Sequence, residues 1–308
     1  MYNYSTKLYT KGSIIILSKL NTLEQFRSFY KEHNPANLED AIEKFAIFGG
    51  VGWGDMDTSK SNLELIESLV LPGFRYIRND VTEVTTGMPL YHSILTGIAM
   101  GDGKTSTAFK RANTSQEVGL NAVNELCDTG VIRLKKGSKH FSTWAENESV
   151  TNKLFFTSPF LRFWFAFISP IFKGIRDGDY KEFRERFENR KAEFIQLTFV
   201  ELSQELIALN FSKEDRLKEI GSYWDKNIEL DIYAKTESGK TIVGVCKYTN
   251  AKVKKSELTK LQEACKEAKI DADIMIIVAK TGFSNELKNL KSPTLRLITL
   301  KNFKKLVE

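Results

Sequence analysis

The chain has 308 residues, of which 42% are hydrophobic and 27% charged, and its formal net charge is +6 at pH 7. This length accommodates two ordinary domains, and the composition is that of a packed globular protein, which excludes a disordered chain. Cys127, Cys246 and Cys265 are odd in number and lack Cys-x-x-Cys spacing, so they read as reduced thiols of a cytoplasmic protein and exclude a disulfide framework.

His33, His92 and His140 lie far apart without ligand spacing, which removes support for a zinc site. The N-terminus, MYNYSTKLYTKGS, has no charged start followed by a sustained apolar run, so no signal peptide is expected. From Thr241 onward, fourteen Lys and Arg face seven Asp and Glu, so the positive balance is concentrated there. Such a region attracts phosphate backbones, although a solvated lysine-rich surface is the plainer alternative.

In chain order, residues 1–86 read as one short strand, Ile14–Leu17, and several helices. Thr22 and Gln25 have capping-box spacing before LEQFRSFYKEH. Asn37 opens LEDAIEKFAIF, which Gly49-Gly50 should stop, and NLELIESLVL is helical after a loop. This region carries no catalytic set of residue types.

Residues 87–156 fit a winged helix. LYHSILTGIAM places Leu90, Ile94, Leu95 and Ile98 on one helical face, and a short helix follows around Ala108–Ala112. Thr114 or Ser115 caps a third helix with Val118, Val123, Leu126 and Cys127 inward and Gly130 as its stop. VIRLKK and NKLFFTS are the wing strands, and helix, turn, helix, hairpin is the order expected. In a major groove the outward Gln116, Asn121, Asn124 and Glu125 would face the bases, where Gln and Asn can read adenine. Lys110, Arg111, Lys135, Lys136 and Lys139 would hold phosphates. Packing or protein binding is the alternative role of this unit.

Two tempting patterns fail. GIAMGDGKTS ends like a P-loop, but Gly97 stands six residues before Gly103, where the spacing needs a glycine five before it at Ile98, and a helical pattern precedes it. Leu154–Phe172 approaches the length of a membrane span, yet Pro159 and Pro170 interrupt it. Arg162 near its centre would cost about 2.5–3.5 kcal/mol in a bilayer. A buried aromatic connector over residues 157–190 is the expectation.

Residues 191–308 read as helix, three strands, helix, strand, with KEIGSYWD, LDIYAK, KTIVGVCKYT and DADIMIIVAK as the strands. That order resembles the restriction-endonuclease-like, PD-(D/E)XK nuclease fold, giving an overall α+β or α/β class with a mixed sheet flanked by helices. In such a site carboxylates hold Mg²⁺ or Mn²⁺, and an acid and a lysine two residues apart share one strand face. Glu201, Asp231 and Lys247 occupy matching places, with Glu201 and Asp231 as the metal ligands of an active site. Val245, however, stands where the third acid belongs, which leaves fewer hard oxygen ligands for the metal. Glu229, Glu257 or Glu263 could substitute. Lys252, Lys254 and Lys255 add phosphate-binding charge, and the plainer reading of Asp231 and Lys247 is an ion pair kept by the fold.

FFTSPFLRFWFAFISP is similar to the D-P-F-L-R-F-W-F-R-F junction of the archaeal-type ATPases, with Ser158 in place of Asp. IGSYWDKNIELDIYA and VGVCKY resemble that family's later strands, where Glu is usual at the position of Val245. KLNTLEQFRSFY and AIFGGVGW are similar to the end of its ATPase lid, with Gly52 in place of proline. The likeness runs from about Leu8 to Lys280 and implies a relative lacking the ATPase core, unable to hydrolyse ATP by itself. The expected function is therefore DNA binding with a degenerate nuclease-like domain and no certain cofactor. A metal-dependent DNA nuclease and a protein-interaction scaffold are the alternatives. DNA is the expected partner, a separate ATPase or other protein a further one, and no membrane partner is expected.

Overall fold

The computed structural model describes residues 20–135, 152–225 and 227–308; the strand expected at Ile14–Leu17 falls outside them. The fold is α+β, in two compact units whose described residues are 20–135 with 152–191, and 192–308 without 226. Helices dominate the first unit, and a mixed five-stranded sheet organises the second.

In the first unit α1 (Thr22–His33) is capped one residue ahead of the expected box, because Asn21 and Glu24 accept each other's backbone N–H groups. Gln25 is buried instead, and its Nε2 donates to the carbonyls of Leu20 and Thr157 at 2.9 and 3.0 Å. Asn37 caps α2 (Leu38–Phe48) as expected. Gly50 follows at φ +80°, a conformation that a side chain would strain. α3 (Asn62–Leu65) runs into a π turn over Ile66–Val70. α4 (Phe74–Val84) is a helix the sequence pattern does not announce, buried through Phe74, Ile77 and Val81.

The next elements follow the expected order: α5 (Pro89–Met100), α6 (Thr105–Arg111), α7 (Gln116–Asp128), then the antiparallel pair β1 (Ile132–Lys135) and β2 (Lys153–Phe156). An isolated bridge joins Lys104 to Lys153 ahead of α6. A helix, not a strand, precedes Gly103-Lys104-Thr105, so the context of a phosphate-binding loop is missing. Ser115 caps α7, and Gly130 at φ +79° follows its end. α7 turns Gly119, Ala122, Val123 and Leu126 inward. A Cβ on Gly119 would lie 2.7 Å from Cδ1 of Phe109, so this glycine admits the ring. That rotation corrects the expectation for Val118, which is 48% exposed.

The aromatic segment forms α8 (Pro159–Phe163), a π turn over Trp164–Ile168, a 3-10 turn over Ser169–Ile171 and α9 (Phe172–Arg176). Phe160, Phe163 and Phe165 are fully buried. Phe160 meets Trp53 edge-on at 5.0 Å, and Trp164 stacks on Phe74 at 5.6 Å. Fully burying each such ring stabilises by about 1.5–3 kcal/mol, and a well-placed ring pair adds about 0.5–1.5 kcal/mol. The segment is tied to the end of α2: Phe160 N–H and Ser158 Oγ both donate to the Gly49 carbonyl, at 3.0 and 3.3 Å. Its hydrophobicity thus serves a protein core, and among the described residues no helix is long and apolar enough to cross a membrane.

α10 (Lys181–Phe211) is one helix of 31 residues, and its portion from Ala192 belongs to the second unit. β3 (Leu217–Trp224), β4 (Glu229–Thr236) and β5 (Thr241–Lys247) form an antiparallel meander with Gly239 at φ +93° in the second turn. α11 (Lys255–Glu267) carries the chain across to β6 (Ile274–Ala279), parallel to β5. α12 (Asn285–Asn289) then leads to β7 (Leu295–Thr299), parallel to β6, and a 3-10 turn over Leu300–Leu306 follows. The sheet order is β3-β4-β5-β6-β7. A Cβ on Gly244 would stand 2.5 Å from the Ile276 carbonyl oxygen, so glycine permits this close strand approach. Two apolar clusters form along the sheet, one through Leu258, Ile277 and Phe283, the other through Leu230, Val243 and Leu261.

Candidate functional site

β4 and β5 stay paired as far as Ile232 and Gly244. Beyond that point the Asp231 side chain replaces the ladder, its Oδ2 accepting the Cys246 N–H at 2.7 Å. The β3–β4 register shifts in the same region, between Gly221 and Tyr223. The Asp231 carbonyl accepts from Gln204 Nε2 at 2.7 Å and from Ser222 Oγ at 3.1 Å. From α10, Gln196 Nε2 donates to the Cys246 carbonyl at 2.8 Å, and Gln196 Oε1 accepts the Tyr248 N–H at 2.8 Å. Side chains therefore satisfy backbone groups on both sides of the place where the two strands part, as burial demands.

Lys247, at the end of β5, pairs with Glu257 of α11 at 2.7 Å, and Glu257 also meets Lys260 at 2.7 Å. The hydrogen bond from Lys247, then that from Lys260, holds the Glu257 carboxyl below its ordinary range. Glu257, a candidate stand-in for the missing acid, is thus engaged with the lysine itself. Val245 packs against both apolar clusters. Its neighbour Cys246 is buried, and burial first, then Asp231, pushes its thiol well up. Glu201 is half-buried on α10, one turn before Gln204. Among the described residues no group of three or more His, Cys, Asp or Glu could hold a metal ion. The donor set does not fit Mg²⁺ or Mn²⁺: one Asp231 oxygen is bound to backbone, and the third position is apolar.

Gln116, Asn121 and Asn124 are exposed along α7, together with Glu117 and Val118. Glu125 is exposed too, yet it accepts from the Tyr91 hydroxyl and so ties α7 to α5. Lys110 and Arg111 are exposed in the last turn of α6. Lys135 lies over the Phe155 ring with Nζ 4.7 Å from its centroid. Lys136 and Lys139 lie outside the described residues. In the second unit Lys252 and Lys254 are exposed, and Lys255 pairs with Glu286 at 3.3 Å.

The polar residues that sequence analysis passes over are Gln196, Gln204 and Ser222. Their signal is two glutamines on the helix portion Phe194–Ile207, most of whose side chains are buried. A buried amide needs partners, and here it finds strand backbone.

A family model described as archaeal and bacterial proteins of unknown function, DUF234, matches residues 164–260. That stretch runs from Trp164 in the π turn through α10 and β3–β5 into α11. No curated protein matches the chain, and no solved structure does.

Replacing Asp231 by Ala removes the acceptor for a buried N–H and is expected to lower unfolding stability by about 1–3 kcal/mol. Urea denaturation should give the same loss with and without Mg²⁺, and Asp231→Asn, which keeps an acceptor oxygen, should lose less than half of it. A second expectation concerns Glu257. Because folding lowers its pKa from 4.5, its ion pairs stabilise fully above that value and fade as pH falls through the folded value. Glu257→Gln should therefore cost about 0.5–1 kcal/mol at pH 7, and the gap between the two proteins should close in acid, measured by denaturation from pH 7 to pH 3.

Proposed function

We propose that the chain is a DNA-binding protein in which the winged helix contacts duplex DNA and the C-terminal unit is a non-cutting derivative of the PD-(D/E)XK nuclease fold. The observation that carries the loss of cutting is the combined state of three positions. Val245 is packed into apolar clusters, Asp231 is bound to the Cys246 N–H, and Lys247 is paired with Glu257. The strand order, an antiparallel meander followed by a parallel strand after a crossing helix, supports the kinship with that fold. The finer kinship, with the C-terminal half of archaeal-type ATPases, rests on the FFTSPFLRFWFAFISP and VGVCKY segments.

DNA binding is supported by the exposed amides of Gln116, Asn121 and Asn124, flanked by Lys110 and Arg111. Amide side chains can pair with adenine edges, while the cations hold phosphates without reading sequence. Lys135, Lys252 and Lys254 add phosphate contacts from their own units. Fluorescence anisotropy with a labelled duplex should show affinity falling steeply as salt rises. A Lys110→Ala, Arg111→Ala double variant should flatten the slope of log affinity against log salt by about 2. An absence of duplex binding at low salt contradicts the proposal and favours a protein-interaction scaffold.

A further inference from the structure

α5, the end of α6 and Ser169 line an open cavity of about 390 Å³, within the volume range of small-molecule sites. Arg111 lines it as a cation, with His92, Thr96 and Ser169 around it and no carboxylate among the described lining residues. Arg111 forms no ion pair or hydrogen bond among the described residues, and the Thr96 and Ser169 hydroxyls likewise have no partner there. The guanidinium lies beside Gly101, its carbon 3.8 Å from where a Cβ on that glycine would stand. A guanidinium and two hydroxyl donors in a concave site, with no carboxylate beside them among the described residues, match the oxygens of a phosphate.

His92 supplies a second line of support. Its Nε2 lies 2.9 Å from Thr85 Oγ1, and that hydroxyl already donates its proton to the Val81 carbonyl at 2.6 Å. Nε2 must therefore carry the ring proton, which leaves Nδ1 as the position for another. Burial first, and Arg78 second, lower the His92 pKa, which favours the neutral ring. The Phe165 ring packs edge-on against the imidazole at 5.3 Å. An anion arriving in this cavity would offset the Arg78 charge and favour the protonated ring.

We propose that this cavity binds the phosphate group of a free small molecule, held by Arg111 with hydrogen bonds from the Thr96 and Ser169 hydroxyls. The proposal shares Arg111 with the DNA contact proposed above but does not rest on the amides of α7. The DNA backbone offers the same chemistry from another source, and the duplex arm of the test distinguishes the two.

The test follows the His92 ring signals of the full-length protein by NMR at fixed ionic strength, with inorganic phosphate and pyrophosphate as probes. A short duplex lacking terminal phosphates serves as the second arm. Saturable shifts with pyrophosphate, an upward move of the His92 titration, and binding at least tenfold weaker in Arg111→Ala are the expected results. Thr96→Leu, which fills the cavity, should weaken binding similarly while near-ultraviolet circular dichroism shows an intact fold. No response to either probe overturns the proposal, as does an undiminished response in both variants. A response to the duplex alone also overturns it and assigns Arg111 to backbone phosphate.

Discussion

Where β4 and β5 part, one backbone N–H loses its ladder partner, and the carboxylate of Asp231 takes it. A sheet can splay at this point only if the freed groups are satisfied, because an unpaired buried amide costs about 1–3 kcal/mol. Asp231, Gln196, Gln204 and Ser222 meet that requirement together, fixing α10 against the sheet as they do so. Val245 then faces the apolar side beneath α11, and Lys247 emerges at the strand end to meet Glu257. One local need of the backbone thus accounts for much of the polar architecture of the unit.

Under the nuclease-like kinship proposed above, the same carboxylate, lysine and helix acid would serve phosphodiester chemistry if a third oxygen ligand stood at position 245. With valine there, Lys247 has Glu257 as its counter-ion, and the arrangement is that of a structural polar cluster. The first unit offers a different kind of surface. There α7 presents amides and a valine, while Lys110 and Arg111 on α6 and Lys135 on β1 supply charge. Under the DNA-binding proposal, phosphate attraction and base contact fall to different elements.

Much of this organisation was legible in the chain. Hydrophobic patterning and turn residues located α5, α6 and α7 and the strands β3 to β6. Where the expectations failed, tertiary contacts decided. Val118 carries an inward-looking side chain by periodicity, yet the Phe109 ring seats on Gly119 and rotates the helix. The cap of α1 moved by one residue because Asn21 with Glu24 closes a reciprocal pair and leaves Gln25 for the interior. β7 follows the short polar turn KSPT and gains its place only by pairing with β6, a contact no local pattern announces. The engagement of Asp231 was equally hidden, since its helix partner Gln204 lies 27 residues before it in sequence.

The most direct test incubates the purified protein with supercoiled plasmid in Mn²⁺, beside Asp231→Ala, and follows both retardation and strand breaks on one gel. Retarded but uncut DNA, the same with either protein, is the predicted result. Mn²⁺-dependent breaks made by the natural chain and lost in Asp231→Ala would contradict it, and would mean that another group supplies the ligand missing at Val245.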